Sequence, residues 1–137
     1  MKKKVILIIS PVLIFTLIII VILFSTFLKY KEEFSSSNFI SDIDITKIKD
    51  GKYEGEYRTT LVSSKVLVYV KNGKIKSIDI IEHKHGRGKK GEEVINRVIS
   101  AQSLRVDAVS GATISSKVIL KALENALLKG GSYVRDY

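Results

Sequence analysis

An unbroken apolar run near the N-terminus dominates this sequence. Residues Val5–Leu28 contain no charged side chain, and the run exceeds the roughly 20 residues that an α-helix needs to cross a bilayer. Lys2, Lys3 and Lys4 precede it, and basic residues favour the cytoplasmic side of a membrane span. We therefore predict a single-pass anchor over residues 5–28 in the cell membrane, with residues 1–4 in the cytoplasm and the rest of the chain outside.

A cleaved signal peptide is the alternative. The apolar regions of signal peptides run about 7–15 residues and end at small residues of the Ala-x-Ala type. The run here is longer, and no Ala-x-Ala sequence follows it; Ser25 and Thr26 are the nearest weak candidates. Both interpretations place the remainder of the chain outside the cytoplasm.

Composition excludes several classes of function. Five of the net nine positive charges lie in residues 1–31, which leaves +4 for the remainder. A nucleic-acid partner is not expected, because the basic part of the exported domain would face away from the cytoplasm. The absence of cysteine excludes disulfides, thiolate metal sites and a cysteine nucleophile. The two histidines, His83 and His85, have no carboxylate or thiol at a useful spacing, so we predict no metal site.

Between the anchor and the exported domain, residues 29–49 are predicted to be a tether. The stretch is polar, with a serine run at Ser35–Ser37, and such sequences form flexible spacers. Its apolar residues are spaced like a weak amphipathic turn that would dock on the domain or on the bilayer surface: Phe39, Ile40, Ile43, Ile45 and Ile48. Residues 50–131 are predicted to be the compact domain, and residues 132–137 a C-terminal tail.

Alternation of apolar and polar residues predicts β-structure in the first half of the domain. Asn72-Gly73 separates two such runs, which is the strongest short signal for a hairpin turn. In the return strand, Ile75 and Ile78 have opposite parity, so we expect a bulge near Lys76 or Ser77.

Two helices are predicted in the second half. Glu92-Glu93 opens the first, residues 103–109 are extended, and the second begins near Thr113 or Ile114 and stops at Gly130-Gly131. Its apolar stripe is made of Ile114, Val118, Ile119, Ala122, Leu123, Ala126 and Leu127. The predicted fold class is therefore α+β: a small antiparallel sheet with two packed helices, preceded by one N-terminal transmembrane helix.

The loop that leads into the last helix is the first candidate site. It reads Asp107-Ala108-Val109-Ser110-Gly111-Ala112-Thr113. Gly111 permits unusual backbone conformations, and Thr113 lies where free backbone N–H groups and the helix dipole favour an anion such as a phosphate. The simpler interpretation is that Ser110 or Thr113 only caps the helix.

This loop resembles the flavinylation motif of the FMN-binding domain family, Asp-x-x-Ser/Thr-Gly-Ala-Thr. The resemblance extends in order through DGKYEGEY, VKNGKIKSIDIIEH, HGRGKKGEEVINRVI and AQSLRVDAVSGATISSKVILKALENAL, and it covers about residues 50–128. Extracytoplasmic domains of this family occur in subunits of the sodium-pumping NADH:quinone oxidoreductase, in related ferredoxin-linked complexes and in small exported electron carriers.

The resemblance implies that FMN is attached through its phosphate to the side-chain oxygen of Thr113. A separate Mg-dependent flavin transferase would make this phosphoester, taking FMN from FAD. Asp107 would serve recognition or orientation during transfer, and Ser110, Gly111 and Ala112 would shape the loop. The rival hydroxyls, Ser115 and Ser116, are expected to cap the helix or face solvent.

A basic loop at residues 83–91 is the second candidate site. Its cations are Lys84, Arg87, Lys89 and Lys90, and its glycines are Gly86, Gly88 and Gly91. With FMN present, Arg87, Lys89 and Lys90 would stabilise the anionic reduced ring; alternatively the loop meets an anionic partner, or is only solvated.

Two functions follow from these expectations. The first is a membrane-anchored extracytoplasmic flavoprotein that carries electrons, rather than an independent enzyme, with membrane or exported redox partners. The second is an anchored, non-redox module that binds a phosphate-bearing ligand without a covalent bond.

Overall fold

The computed structural model describes the backbone of residues 2–35 and 39–131, and the chain divides into two compact units, Met1–Ser36 and Ser37–Tyr137. The predicted tail, residues 132–137, lies outside the described residues. The first unit is helix α1 (Lys2–Ser35), with Pro11 inside it. Among the described residues, one helix is long and apolar enough to cross a membrane: the candidate span is Pro11–Lys29, with a mean hydropathy of 2.8 and no buried side chains.

Helix α1 continues beyond the predicted end of the anchor. Residues 29–35 were expected to belong to the tether, yet they are helical. Lys and Glu, which dominate this stretch, are good helix formers, and extending an existing helix requires no new nucleation. Residues 36–38 of the predicted tether lie outside the described part of the chain.

The second unit contains one antiparallel sheet in the order β1 (Gly51–Arg58), β2 (Ser63–Lys71) and β3 (Lys74–Lys84). The Asn72-Gly73 turn has the two positive φ angles, 55° and 66°, of the predicted tight hairpin. The pairing of β2 with β3 shifts register at two places. One shift leaves Lys76 unpaired, which confirms the predicted bulge, and the other leaves Ile81 unpaired.

A single 3₁₀ turn (Ile45–Lys47) precedes the sheet, and two short helices lie between the sheet and the last helix. A 3₁₀ helix (Lys89–Glu93) leads into α2 (Val94–Ala101), which buries Val94 and Val98. Residues 105–109 follow without regular secondary structure. Helix α3 (Thr113–Leu128) then crosses the sheet, and the α+β fold class predicted from the sequence is confirmed.

The core lies between α3 and one face of the sheet. Val66, Val68 and Val70 of β2 are fully buried on this face. Helix α3 lies directly on β1 at Gly55, where a Cβ atom would be 2.1 Å from the carbonyl oxygen of Ala122. Ile114, predicted in the buried stripe, is 37% exposed, because the first turn of α3 carries the loop connection rather than the contact with the sheet.

Residues 39–49, expected to be part of a flexible tether, pack on this domain. Ile43, Ile45 and Ile48 are buried in the same core. Two hydrogen bonds join the segment to α3. The Ser41 N–H donates to Oε1 of Glu124, 3.1 Å away, and Lys121 Nζ donates to the carbonyl oxygen of Phe39. Of the two docking surfaces considered from the sequence, the structure shows docking on the domain.

Candidate functional site

The loop between α2 and α3 is held by a side chain of α2. Nη1 of Arg97 donates to the carbonyl oxygens of Asp107, at 2.8 Å, and Ala108, at 3.1 Å. Val109 is 2% exposed and anchors the loop in the core. Arg97 therefore fixes the backbone at the start of the candidate motif, leaving the Asp107 side chain exposed.

Ser116 holds the other end of the loop. Its Oγ donates to the carbonyl oxygen of Ala112, 2.9 Å away, and accepts from the backbone N–H of Val109 at 3.0 Å. The side chain is fully buried. From the sequence, Ser116 was considered a rival attachment residue, a helix cap or a solvent-facing hydroxyl. In the structure it is buried, and its hydroxyl makes two hydrogen bonds to the loop backbone. We call these two bonds the Ser116 clamp.

Between these two fixed points the chain makes a tight turn. The Ala112 N–H donates to the carbonyl of Val109 at 2.9 Å, and Gly111 has a φ of +80°, which is the conformation of the third residue of a type II turn. No atom lies within 4 Å of a Cβ built on Gly111. The turn therefore requires glycine for its backbone angle and not for lack of space.

Thr113 follows this turn as the first residue of α3. The helix N-cap is Ala112, which supplies no side-chain capping bond. The interpretation that Ser110 or Thr113 only caps the helix is therefore wrong. Thr113 and Ser110 are both exposed, and within the described part of the chain no hydrogen bond engages the Thr113 hydroxyl. An accessible hydroxyl thus lies beside backbone N–H groups that have no side-chain partner.

The basic loop packs against the first turn of α3. A Cβ atom on Gly88 would lie 1.9 Å from Oγ of Ser115, and one on Gly91 would lie 2.7 Å from Cβ of Ser115. Ser115 is 3% exposed, so this rival hydroxyl is covered by the loop. Two of the three glycines are needed for this contact, whereas a Cβ atom on Gly86 would meet nothing within 4 Å.

This contact brings the two candidate sites to the same end of the domain. Arg87 and Lys89 flank Gly88 in the chain, and Ser115 is two residues beyond Thr113. Arg87, Lys89 and Lys90 are exposed, and in the described ranges no acidic side chain pairs with them. The arrangement provides positive charge and free backbone donors at the same end of the domain as the exposed Thr113 hydroxyl, which suits an anionic phosphate group.

A shallow groove adjoins the motif on the side of α2. Its volume is about 590 Å³, and its lining residues are Arg97, Ser100, Ala101, Arg105, Val106 and Asp107. The exposed Asp107 side chain therefore borders a surface depression that also contains two arginines.

The histidines lie in surroundings that the sequence did not reveal. The His83 side chain is 2% exposed, and its Nδ1 is 3.0 Å from Oε1 of Glu92. The sequence predicted no metal site because no carboxylate was recognised near the histidines. The structure places the Glu92 carboxylate beside His83, so that argument does not hold.

Arg97 and Ser116 were also not identified from the sequence as residues that hold the loop. For Ser116, the available sign was a serine three positions after Thr113.

Comparison with known proteins identifies the domain. The sequence model of the FMN-binding domain matches residues 63–128, a range that contains β2, β3, the basic loop and the whole loop from Asp107 to Thr113. No curated protein and no solved structure matches the chain. Residues 63–128 are therefore a domain of the FMN-binding domain family.

Proposed function

We propose that this chain is a membrane-anchored extracytoplasmic flavoprotein that carries electrons through FMN attached to Thr113 by a phosphoester. The observation that carries the proposal is the exposed, unbonded hydroxyl of Thr113 at an N-terminus without a side-chain cap, in a domain of the FMN-binding family. The apolar helix Pro11–Lys29 supplies the anchor.

The residues present suit an FMN phosphate. The phosphoester retains one negative charge, which the free N–H groups and dipole of α3 stabilise. Arg87, Lys89 and Lys90 add positive charge at the same end of the domain. When bound, FMN supplies the reversible oxidation and reduction, and the protein positions it and sets its potential.

Attachment is a group transfer that a separate flavin transferase performs. The Thr113 oxygen forms a bond to the phosphorus of the FMN half of FAD, the pyrophosphate bond of FAD breaks, and AMP leaves while the hydroxyl proton passes to the transferase. Asp107, exposed beside a groove with two arginines, is the residue that we assign to recognition by that enzyme. Thr113 then holds the cofactor permanently, so the chain acts as a carrier rather than as an independent catalyst.

Intact mass tests this proposal. The full chain is co-expressed with a flavin transferase as wild type, Thr113→Val and Ser110→Ala. We expect the wild type and the Ser110 variant to gain the mass of FMN less one water, and the valine variant to gain nothing while keeping its circular dichroism spectrum. Flavin that remains on the valine variant after acid denaturation would place the attachment elsewhere. A wild type that never gains mass would favour the non-redox module that binds a phosphate-bearing ligand.

A further inference from the structure

We propose that His83, His85 and Glu92 form a binding site for a divalent transition-metal ion of the Zn²⁺ type. One ring nitrogen of each histidine and a carboxylate oxygen of Glu92 all lie within 4.8 Å of one another. Two imidazoles and one carboxylate are a donor set that binds zinc in proteins, with a fourth position left for water. None of these three residues is assigned to the FMN phosphate, and the proposal does not depend on the attachment of FMN.

The fold brings these donors together from two elements. His83 is the penultimate residue of β3, at the end away from the hairpin turn, and His85 is the first residue after the strand. Glu92 belongs to the 3₁₀ helix that begins at Lys89. The chain reverses through the basic loop between them, and packing of Gly88 and Gly91 on Ser115 holds that reversal in place.

The geometry is close to what zinc requires. Metal–ligand distances near 2.0–2.2 Å place neighbouring ligands about 3.4 Å apart in a tetrahedral site. Nδ1 of His83 and Oε1 of Glu92 are already 3.0 Å apart, and the two imidazole rings have centroids 4.6 Å apart, tilted by 48°. His85 is partly exposed, and we expect rotation of its side chain to bring its ring nitrogen to the remaining ligand position.

Burial favours a fixed site over a loose surface cluster. The His83 side chain is 2% exposed, and the Glu92 side chain is 34% exposed. Nε2 of His83 is buried and, among the described residues, has no hydrogen-bond partner. The His83 imidazole is therefore enclosed by the domain, whereas His85 and Glu92 are partly exposed and accessible to an ion from solvent.

The neighbouring cations limit the strength of binding. Lys84, Arg87, Lys89 and Lys90 belong to the same loop, and their charges repel a metal ion. We therefore expect selectivity for an ion that imidazole binds well, such as Zn²⁺, and no measurable binding of Mg²⁺, which prefers oxygen ligands.

Calorimetric titration of ZnCl₂ into the full chain in non-ionic detergent tests the site. The chain must be purified through a tag without histidine and stripped with a chelator beforehand. We expect one Zn²⁺ per wild-type chain, with binding at least tenfold weaker in His85→Ala and in Glu92→Gln. Glu93→Gln is the matched control, because Glu93 is the exposed neighbour of Glu92 and lies outside the cluster; its affinity should equal that of the wild type.

Two results would overturn the proposal. The first is a wild type that binds Zn²⁺ no more tightly than the His85→Ala variant. The second is an equal loss of Zn²⁺ affinity in Glu92→Gln and Glu93→Gln, which would show that the affinity depends on net charge and not on Glu92 as a ligand. Circular dichroism of each variant shows whether the fold is retained, and His83, the buried member, is left unchanged for that reason.

Discussion

At the scale of single residues, Ser116 has the most consequential contacts in the loop. Its hydroxyl joins Val109 to Ala112 and is buried, so its removal leaves a buried N–H without a partner. We predict that Ser116→Ala lowers the free energy of unfolding by about 1–3 kcal/mol and slows flavin attachment. Ser115→Ala is the matched control, and thermal unfolding followed by circular dichroism is the measurement. Equal melting temperatures for the two variants would show that the clamp does not stabilise the loop.

Gly111 gives a second prediction at this scale. Its φ of +80° is unfavourable for a residue with a Cβ atom, and since space is available the cost of Gly111→Ala is confined to the backbone. We expect a loss of about 1–2 kcal/mol, or roughly 4–8 °C in melting temperature per kcal/mol for a domain of this size. Gly86 lies at an open position without a positive φ, so Gly86→Ala should have the same melting temperature as the wild type. An equal fall in the melting temperature of both variants would show that the backbone angle of Gly111 is not the cause.

At the scale of elements, the basic loop should set the potential of the bound flavin. Cations that stabilise the reduced, anionic ring raise the midpoint potential, so replacing Arg87, Lys89 and Lys90 with Gln should lower it. A fall of 30 mV for the two-electron couple would correspond to about 1.4 kcal/mol. Spectroelectrochemical titration of the flavinylated chain is the measurement.

The control for this experiment removes the same number of charges from the other end of the sheet. Lys71, Lys74 and Lys76 flank the β2–β3 hairpin turn, whereas the basic loop follows the opposite end of β3. Their replacement with Gln should leave the potential nearly unchanged. An equal shift in both triple variants would mean that the potential responds to net charge, and an unchanged potential in both would make the basic loop a solvated surface.

Local patterns predicted the elements well, because hairpin turns, bulges and amphipathic helices are determined by neighbours in the chain. The Asn72-Gly73 turn and the bulge at Lys76 are examples. The bulge at Ile81 was missed, since its side chain continues an apolar run and is 51% exposed. The docking of Ile43 and Ile45 was left open between two surfaces, because their spacing fits no single period.

The candidate site was only partly predictable for a related reason. Asp107, Gly111 and Thr113 are close in sequence, so a motif could bring them to notice. Other contacts of the site join residues nine to eleven positions apart. They are the contact of Glu92 with His83 and the hydrogen bonds from Arg97 to the loop backbone. Such contacts depend on how the chain folds back, which composition and spacing do not specify.

For the whole molecule, the proposed function requires an exported domain on a membrane anchor. The dense lysine cluster before the apolar helix favours a cytoplasmic N-terminus. We predict that proteinase K added to intact protoplasts removes the second unit, residues 37–137, while a tag placed before Met1 stays protected until the membrane is permeabilised. Complete protection of the domain in intact protoplasts would contradict the orientation.

If Thr113 carries the flavin, mass spectrometry of a single tryptic peptide will locate it. Cleavage after Arg105 and after Lys117 releases Val106–Lys117, which contains Thr113 together with Ser110, Ser115 and Ser116. After co-expression with a flavin transferase, fragmentation of this peptide should place the mass of FMN less one water on Thr113. Modification at one of the three serines, or a peptide that stays unmodified beside an active transferase, would show that Thr113 does not carry the flavin.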